Sequence, residues 1–383
     1  MLLASACTDG SSDDSAGGPI STTTEPTPST SLPTTSTAPA AVPETTTTTP
    51  PPPDREWVVH DADGCVCADG SDYKYMTWAG DPEKVVVFLQ GGGACFTAET
   101  CEIGGEGQSY SSDIVRDLEI AAAGGWAQGL FDFDNAENPV ADWTVIYLPY
   151  CTGDVFLGTR QHTYRDDVVI NHTGRINADK GLEYLFANHP DATQVLVTGS
   201  SAGAVPAPIL AGVVAERFPD ADVTALGDGA GGYGANPTVM GFLNAQWGIA
   251  DGIPEWPVTE GFDVTTLGAP DNYILAATQF DNLRVARFDD AYDQTQAGFA
   301  SLFSLSGGGT VLDVVLESEA YIEEAGVDLP VFVAAGNGHT TMLAEDFYEL
   351  EEGEVRWVDW LTDFLNSKPI DDVKCTECGS PSD

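Results

Sequence analysis

The stretch QVLVTGSSAGAVPAPIL, residues Gln194 to Leu210, sets a short apolar run against a glycine-flanked pair of serines. Val195, Leu196 and Val197 read as a buried strand. Ile209, Leu210, Val213 and Val214 are spaced for one face of a helix. Between them, Gly199-Ser200-Ser201-Ala202-Gly203 is a G-x-S-x-G sequence. In a strand-to-helix elbow the middle serine takes a strained backbone and is pushed out of the turn, and residues two before and two after it are crowded. Glycine relieves the crowding because it lacks a Cβ. Only Ser201 has glycine on both sides at that spacing, which makes Ser201 the candidate nucleophile and leaves Ser200 pointing elsewhere. Pro206 fits a first helical turn, whereas Pro208 is expected to distort the second.

Further segments repeat the strand-then-polar pattern. Val85 to Leu89 runs into Gln90-Gly91-Gly92-Gly93, and Trp143 to Tyr147 is a second strand. Gly174 to Asn188 reads as an amphipathic helix. Val223 to Leu226 leads into Asp228, Tyr273 to Thr278 into Gln279-Phe280-Asp281, and Leu329 to Ala335 into Gly336-Asn337-Gly338-His339. Val355 to Leu365 reads as a closing amphipathic helix. Strands alternating with helices argue for an α/β fold with a mostly parallel central sheet and helices on both faces. Polar residues just past the strand ends occupy the usual site position of open α/β sheets. In an insertion after Asp228, Met240, Phe242, Leu243, Trp247 and Trp256 could form an apolar lid or belong to the core.

A serine hydroxyl needs a base. Of the five histidines, His60, His162, His172 and His189 suit a domain edge, a pocket wall, a helix approach and a helix end. His339 follows a late strand on a glycine-flanked loop, downstream of Ser201, and suits the base in the order Ser, Asp, His. The orienting acid should follow another strand between the two. Asp281 is preferred because it closes an apolar run, and Asp228 is the alternative, or a residue that shapes the pocket. Its task is to hold the imidazole tautomer. Oxyanion donors would come from the Ala202 N–H and from the glycines at 91–93. This chemistry requires no cofactor and no metal.

The chain has 383 residues, 42% of them hydrophobic, enough for a large core. Residues 8–53 are Thr/Pro/Ser-rich without periodicity and read as a disordered, extended spacer. Residues 1–7 end in Leu3-Ala4-Ser5-Ala6-Cys7, which is like a truncated signal with a lipobox. A lipidated Cys7 would tether a catalytic domain, 54–370, to a bacterial surface, so the expected location is extracytoplasmic, secreted or lipid-anchored. Residues 371–383 read as a polar tail. Eight cysteines fit export. Cys95 and Cys101 could close a short loop. Cys375-x-x-Cys378 could bridge to Cys65 or Cys67, and a zinc site would need two more ligands. The formal charge of −46 argues against nucleic acid as a partner and points to a saline medium that screens it.

Several segments, in order, resemble the pectin acetylesterase/Notum family of serine carboxylesterases. LQGGGACFTAETC (Leu89 to Cys101) is similar to its L-E-G-G-W-x-C…C segment, and CADGSDYKY (Cys67 to Tyr75) to its C-x-D-G-S-x-x-x-Y entry. GLFDFDNAENPVADWTVIYLPYCTGD (Gly129 to Asp154), GSSAGA, FDN and GHTTM follow. The likeness runs over residues 65–365. It implies an α/β-hydrolase fold and ester hydrolysis through Ser201, Asp281 and His339, with Gly92, Gly93 and Ala202 as the oxyanion hole. Gly93 stands where the family has tryptophan and Ala94 where a large residue is common, which implies a wider pocket. Gln90 replaces an acid and Ala204 a glycine. The expected function is removal of O-acetyl groups from a polysaccharide such as pectin. The alternatives are a lipase-like or polyester esterase, or a glycan-binding protein without turnover.

Overall fold

In the computed structural model, residues 55–302 and 309–380 are described. The expected lipobox at Cys7 and the spacer 8–53 lie outside them. The chain enters through an antiparallel pair, β1 (Trp57–Val66) and β2 (Asp72–Trp78), followed by β3 (Asp81–Leu89). Then come α1 (Ala98–Cys101), α2 (Val115–Ala122), β4 (Trp143–Leu148) and a ribbon of β5 (Arg160–Arg165) with β6 (Val168–His172). Next are α3 (Gly174–Asn188), β7 (Gln194–Ser200), α4 (Ala207–Arg217) and β8 (Asp222–Asp228). Helices α5 (Pro237–Trp247), α6 (Ile249–Gly252) and α7 (Ala269–Gln279) lead to β9 (Leu283–Asp290), and α8 (Gln294–Leu302) and α9 (Val311–Glu324) to β10 (Val331–Ala334). A ribbon of β11 (Glu351–Glu352) with β12 (Val355–Arg356), then α10 (Trp357–Leu365) and β13 (Val373–Lys374), complete the chain.

The main sheet has the order β1-β2-β4-β3-β7-β8-β9-β10-β13. From β4 to β13 every pairing is parallel, and only β1–β2 and β2–β4 are antiparallel. Period-two alternation divides the strand side chains between two cores. Val85, Val87, Leu89, Val195 and Val197 pack with α3, α4 and α7 residues on one face. Val86, Phe88, Leu196, Leu226 and Phe288 face the other, where α10 supplies Trp357, Trp360, Leu361 and Phe364. Each such side chain, fully buried, contributes roughly 1.5–3 kcal/mol. A parallel sheet covered on both faces explains why its strands read as continuous apolar runs.

Four expectations are corrected. Tyr273 to Thr278 is not a strand: it lies inside α7, which Pro270 opens in its first turn and whose Asp271 carboxylate accepts the Gly268 N–H at 2.7 Å. Pro208 does not distort a second turn. The elbow spends Ser201–Gly203 in a 3-10 turn, so α4 starts at Ala207 and Pro208 falls where a missing N–H costs nothing. The segment expected as a polar tail from residue 371 onward is not merely a tail over its described part, 371–380, because Val373 and Lys374 extend the sheet beside β10. Cys375 bonds Cys378 rather than Cys65 or Cys67, so that pair is not a zinc half-site, while Cys95–Cys101 and Cys67–Cys151 are also joined. No free cysteine is found among the described residues.

Candidate active site

Ser201 is the first residue after β7 and holds φ +54°. Its flanking glycines have a direct cause. A Cβ at Gly199 would sit 2.5 Å from the Leu89 carbonyl oxygen, and one at Gly203 closer still. The elbow is thus pressed against the end of β3. The glycine run that follows β3 lies on the elbow too, since a Cβ on Gly91 would be 3.1 Å from Ser201 Cβ. Gly93, at φ +77°, bridges Tyr110 through Ser111 N–H to Gly92 O (2.8 Å) and Ala94 N–H to Ser109 O (3.2 Å). That pattern leaves the Gly93 N–H itself outside the bridge.

His339 lies on the loop after β10. Its Nδ1 is 2.6 Å from Asp293 Oδ2. Asp293 is wholly buried and sits three residues beyond β9. It also accepts the Gln296 backbone N–H (2.8 Å) and side-chain amide (2.9 Å). Gln296 Nε2 reaches Asp289 as well (3.0 Å), and Asp289 is in a buried ion pair with Arg287 at 2.9 Å. Burial pulls the His339 pKa down. The Asp293 hydrogen bond and charge, joined by Asp228 and Asp289, outweigh it and leave it above the ordinary value.

Asp281, expected as the orienting acid, is exposed in the link between α7 and β9. It precedes β9, whereas the site lies past the carboxyl ends of the strands, so it is at the wrong end of the sheet. In chain order Asp293 lies between Ser201 and His339. The missed signal was the strand LRVARFDD (Leu283–Asp290), an apolar run ending in acids just before Asp293.

Asp228 has a third role. Fully buried, it accepts Ser200 Oγ at 2.7 Å and the N–H groups of Thr341 (2.9 Å) and Met342 (3.0 Å). One carboxylate therefore fastens the histidine loop to the elbow, with Ser200 as its partner. Burial raises its pKa to about 6 against these hydrogen bonds. The other histidines are engaged elsewhere. Burial pushes His172 down to about 4, and its Nδ1 meets Thr152 O at 2.8 Å. His60 stacks on Tyr75 and contacts Thr77 Oγ1, His162 packs edge-on to Tyr164, and His189 bonds Pro82 O.

Ser201, Ala202 and Gly93 line a cavity of about 720 Å³, open mouth included. Its other walls are almost wholly apolar: Val155 and Leu157 on one side, Met240, Leu243 and Trp247 of α5 on another. Of the lid candidates, Phe242 is half exposed and Trp256 is buried against Gly212 of α4. The widening expected from Gly93 is offset. Phe299 Cζ lies 3.2 Å from where a Cβ of residue 93 would be, so α8 supplies the missing bulk. Gln90, in place of an acid, bonds Asp117 Oδ1 (2.7 Å) and the Tyr150 N–H (2.8 Å).

The pectinacetylesterase family model matches residues 55–245. The chain belongs to the pectin acetylesterase/Notum family. Pectin acetylesterase 5 of Arabidopsis thaliana is 29% identical over 185 residues, 46% of this chain and 42% of that protein. Palmitoleoyl-protein carboxylesterase notum1' of Xenopus laevis is 28% identical over 152 residues, 36% of this chain and 28% of its own length. The chain spans less than half the length of these curated relatives. The solved structure of the Wnt deacylase Notum from Drosophila superposes with a TM-score of 0.58 at 17% identity, covering 82% of this chain and 95% of that one. That likeness concerns the fold. The family match takes in the glycine run, the elbow and Asp228, while Asp293 and His339 lie beyond it and rest on geometry.

Proposed function

We propose that the protein is a serine carboxylic-ester hydrolase using Ser201, His339 and Asp293, with Gly92, Gly93 and Ala202 N–H groups as oxyanion donors. One arrangement carries this reading: a strained Ser201 on an apolar cavity wall, with the histidine loop fastened to its elbow and a buried carboxylate on His339 Nδ1. With Nδ1 occupied, Nε2 is the nitrogen left to take the serine proton. Ser201 Oγ attacks the ester carbonyl, and the oxyanion is met by backbone N–H groups. The imidazolium then protonates the departing alcohol. Water, deprotonated by the same nitrogen, releases the acid and restores the serine. Asp293 holds the tautomer and stabilises the imidazolium.

The cavity walls favour esters whose acyl group is apolar and larger than acetyl. An acetyl methyl would leave most of Val155, Leu157, Met240, Leu243 and Trp247 uncovered. The second reading, removal of O-acetyl groups from a polysaccharide, draws on the matched pectin acetylesterases. Three disulfides support an oxidising, extracytoplasmic location as part of the proposal. The test is hydrolysis of p-nitrophenyl esters from acetate to palmitate by the full chain and by Ser201→Ala, with acetate release from acetylated pectin and xylan alongside. Loss of turnover on Ser201→Ala supports the mechanism, and retained turnover refutes it. An optimum above C2 supports the apolar-acyl reading, whereas an acetate optimum with release from pectin supports the other.

A further inference from the structure

Five residues other than glycine hold positive φ among the described residues: Val155, Phe156, Ser201, Glu354 and Ser367. Glycine occupies the other fourteen such positions. Two of the five line the cavity and a third adjoins it in sequence. Val155 (φ +49°) and Ser201 line it, and Phe156 (φ +53°) stands between Val155 and Leu157, which lines it too. Left-handed backbone is least tolerant of β-branched side chains, and Val155 is the one β-branched residue of the five. For Ser201 the strain has a use, presentation of the hydroxyl. Strain of this kind persists only where the surroundings over-determine it.

They do so here. The Val155 N–H donates to Tyr150 Oη at 2.8 Å, and the Phe156 N–H reaches Asp154 Oδ1 at 3.2 Å. Asp154 is buried and is fixed by Thr152 Oγ1 (2.6 Å) and the Gly174 N–H (2.7 Å). Phe156 is anchored in the core against Tyr150, ring centroids 5.0 Å apart. Tyr150 in turn packs on Gly92, where no Cβ could fit. Glycine would meet every backbone requirement at residue 155 without strain. The valine adds an isopropyl group, which stands in the cavity wall beside Ser201 and packs on its inner side against the core.

We propose that Val155 is the acyl-specificity residue of this site, its isopropyl group fixing the width of the cavity beside Ser201 through a turn strained for that purpose. The kinetic consequence rests on the ester-hydrolase reading; the binding consequence does not. Val155→Gly removes the wall and the strain together, Val155→Ala removes part of the wall and keeps the strain, and Val155→Ile narrows the cavity. The ratio of kcat/KM for p-nitrophenyl benzoate over p-nitrophenyl butyrate should rise about tenfold in Val155→Gly and fall in Val155→Ile, the usual effect of a few carbon atoms in a hydrophobic pocket. In the Ser201→Ala background, calorimetric titration with benzoate and butyrate should show the same ordering of affinity ratios. Val155→Gly should melt no lower than Val155→Ala, the reverse of the usual order, because only glycine accepts this φ freely. If no variant hydrolyses any ester, the hydrolase reading falls while the titrations still test the wall. Benzoate to butyrate affinity ratios unchanged within twofold, no measurable binding of either acid included, overturn the proposal. So does a melting point of Val155→Gly below that of Val155→Ala.

Discussion

Asp293 and Asp281 differ in burial, in position along β9 and in partner, and under the proposed mechanism only Asp293 can act on His339. Asp293 Oδ2 lies 2.6 Å from His339 Nδ1, and Asp281 is exposed at the opposite end of β9. Asp293→Asn should lower kcat on the order of 10⁴-fold, because the amide can hold the wrong tautomer. Asp281→Asn should leave kcat unchanged, and steady-state kinetics on one ester decides between them. The His339 pKa is raised by its carboxylate neighbours, and a general base acts when neutral. The acid limb of kcat/KM should therefore lie above 6.5, with activity falling as pH drops through it. Asp293→Asn should move that limb downward in the residual activity. Asp228 is a positioning residue in this scheme. Asparagine there keeps one acceptor, while three donors (Ser200 Oγ and the Thr341 and Met342 N–H groups) converge on it. A buried donor left unpaired costs roughly 1–3 kcal/mol. Asp228→Asn should thus reduce kcat with KM little changed and lower the acid limb, since a charge that raises His339 is removed. A purely structural role would lower the yield of folded protein and leave that limb in place.

The strands that carry the site were legible because each is a β-branched run closed by glycine or acid: Val85 to Leu89 lies in β3, Val195 to Val197 in β7, and Val223 to Leu226 in β8. Helix α3 spans the expected Gly174 to Asn188. One misreading had a cost at the site. Six residues of YILAAT satisfy both a strand and a buried helix, and length cannot separate them. The deciding signal was four residues upstream, in Gly268-Ala269-Pro270-Asp271, which has proline in the first turn and an acid at the third position. Taking a helix for a strand put the acid before β9 instead of after it. The lid was ambiguous for another reason. Met240, Phe242 and Leu243 are alike in composition, and only the direction in which α5 presents them decides which lines the cavity. Disulfide pairing was not legible, because it depends on long-range approach. Cys67–Cys151 joins the β1–β2 connection to the loop that carries Asp154 and Val155, across a sequence separation of 84. Chain-entropy reasoning gives about 4–5 kcal/mol for a loop of that length. Replacing both cysteines by alanine should lower stability by up to that amount in urea titration and loosen the cavity wall, seen as weaker discrimination between acyl groups. Cys375–Cys378 closes a loop of three residues, and its removal should cost far less.

The excess of acid over base bears on what the protein can approach. There are 60 acidic residues and 14 Lys or Arg, a formal charge of −46. Among the described residues, which include all 14 of these cations, eleven stand within ion-pair distance of an acid. Most of these pairs are exposed and each contributes about 0–1 kcal/mol, so they offset little of the repulsion among the remaining carboxylates. Screening reaches about 30 Å at 0.01 M salt and 3 Å at 1 M. The melting temperature should therefore rise by several degrees between 20 mM and 1 M sodium chloride, on the order of 2–4 °C for each kcal/mol gained in a domain of this size. A flat profile by calorimetry would mean that self-repulsion does not limit this fold. The same field separates the two substrate readings. A neutral p-nitrophenyl ester feels none of it, so its kcat/KM should change little with salt. A polyanionic ester such as acetylated pectin meets a repulsive surface with few free cations to receive it, and its kcat/KM should climb steeply as salt is added. If pectin is turned over as readily at 20 mM as at 1 M salt, the charge has no part in substrate choice and selection falls to the cavity walls alone.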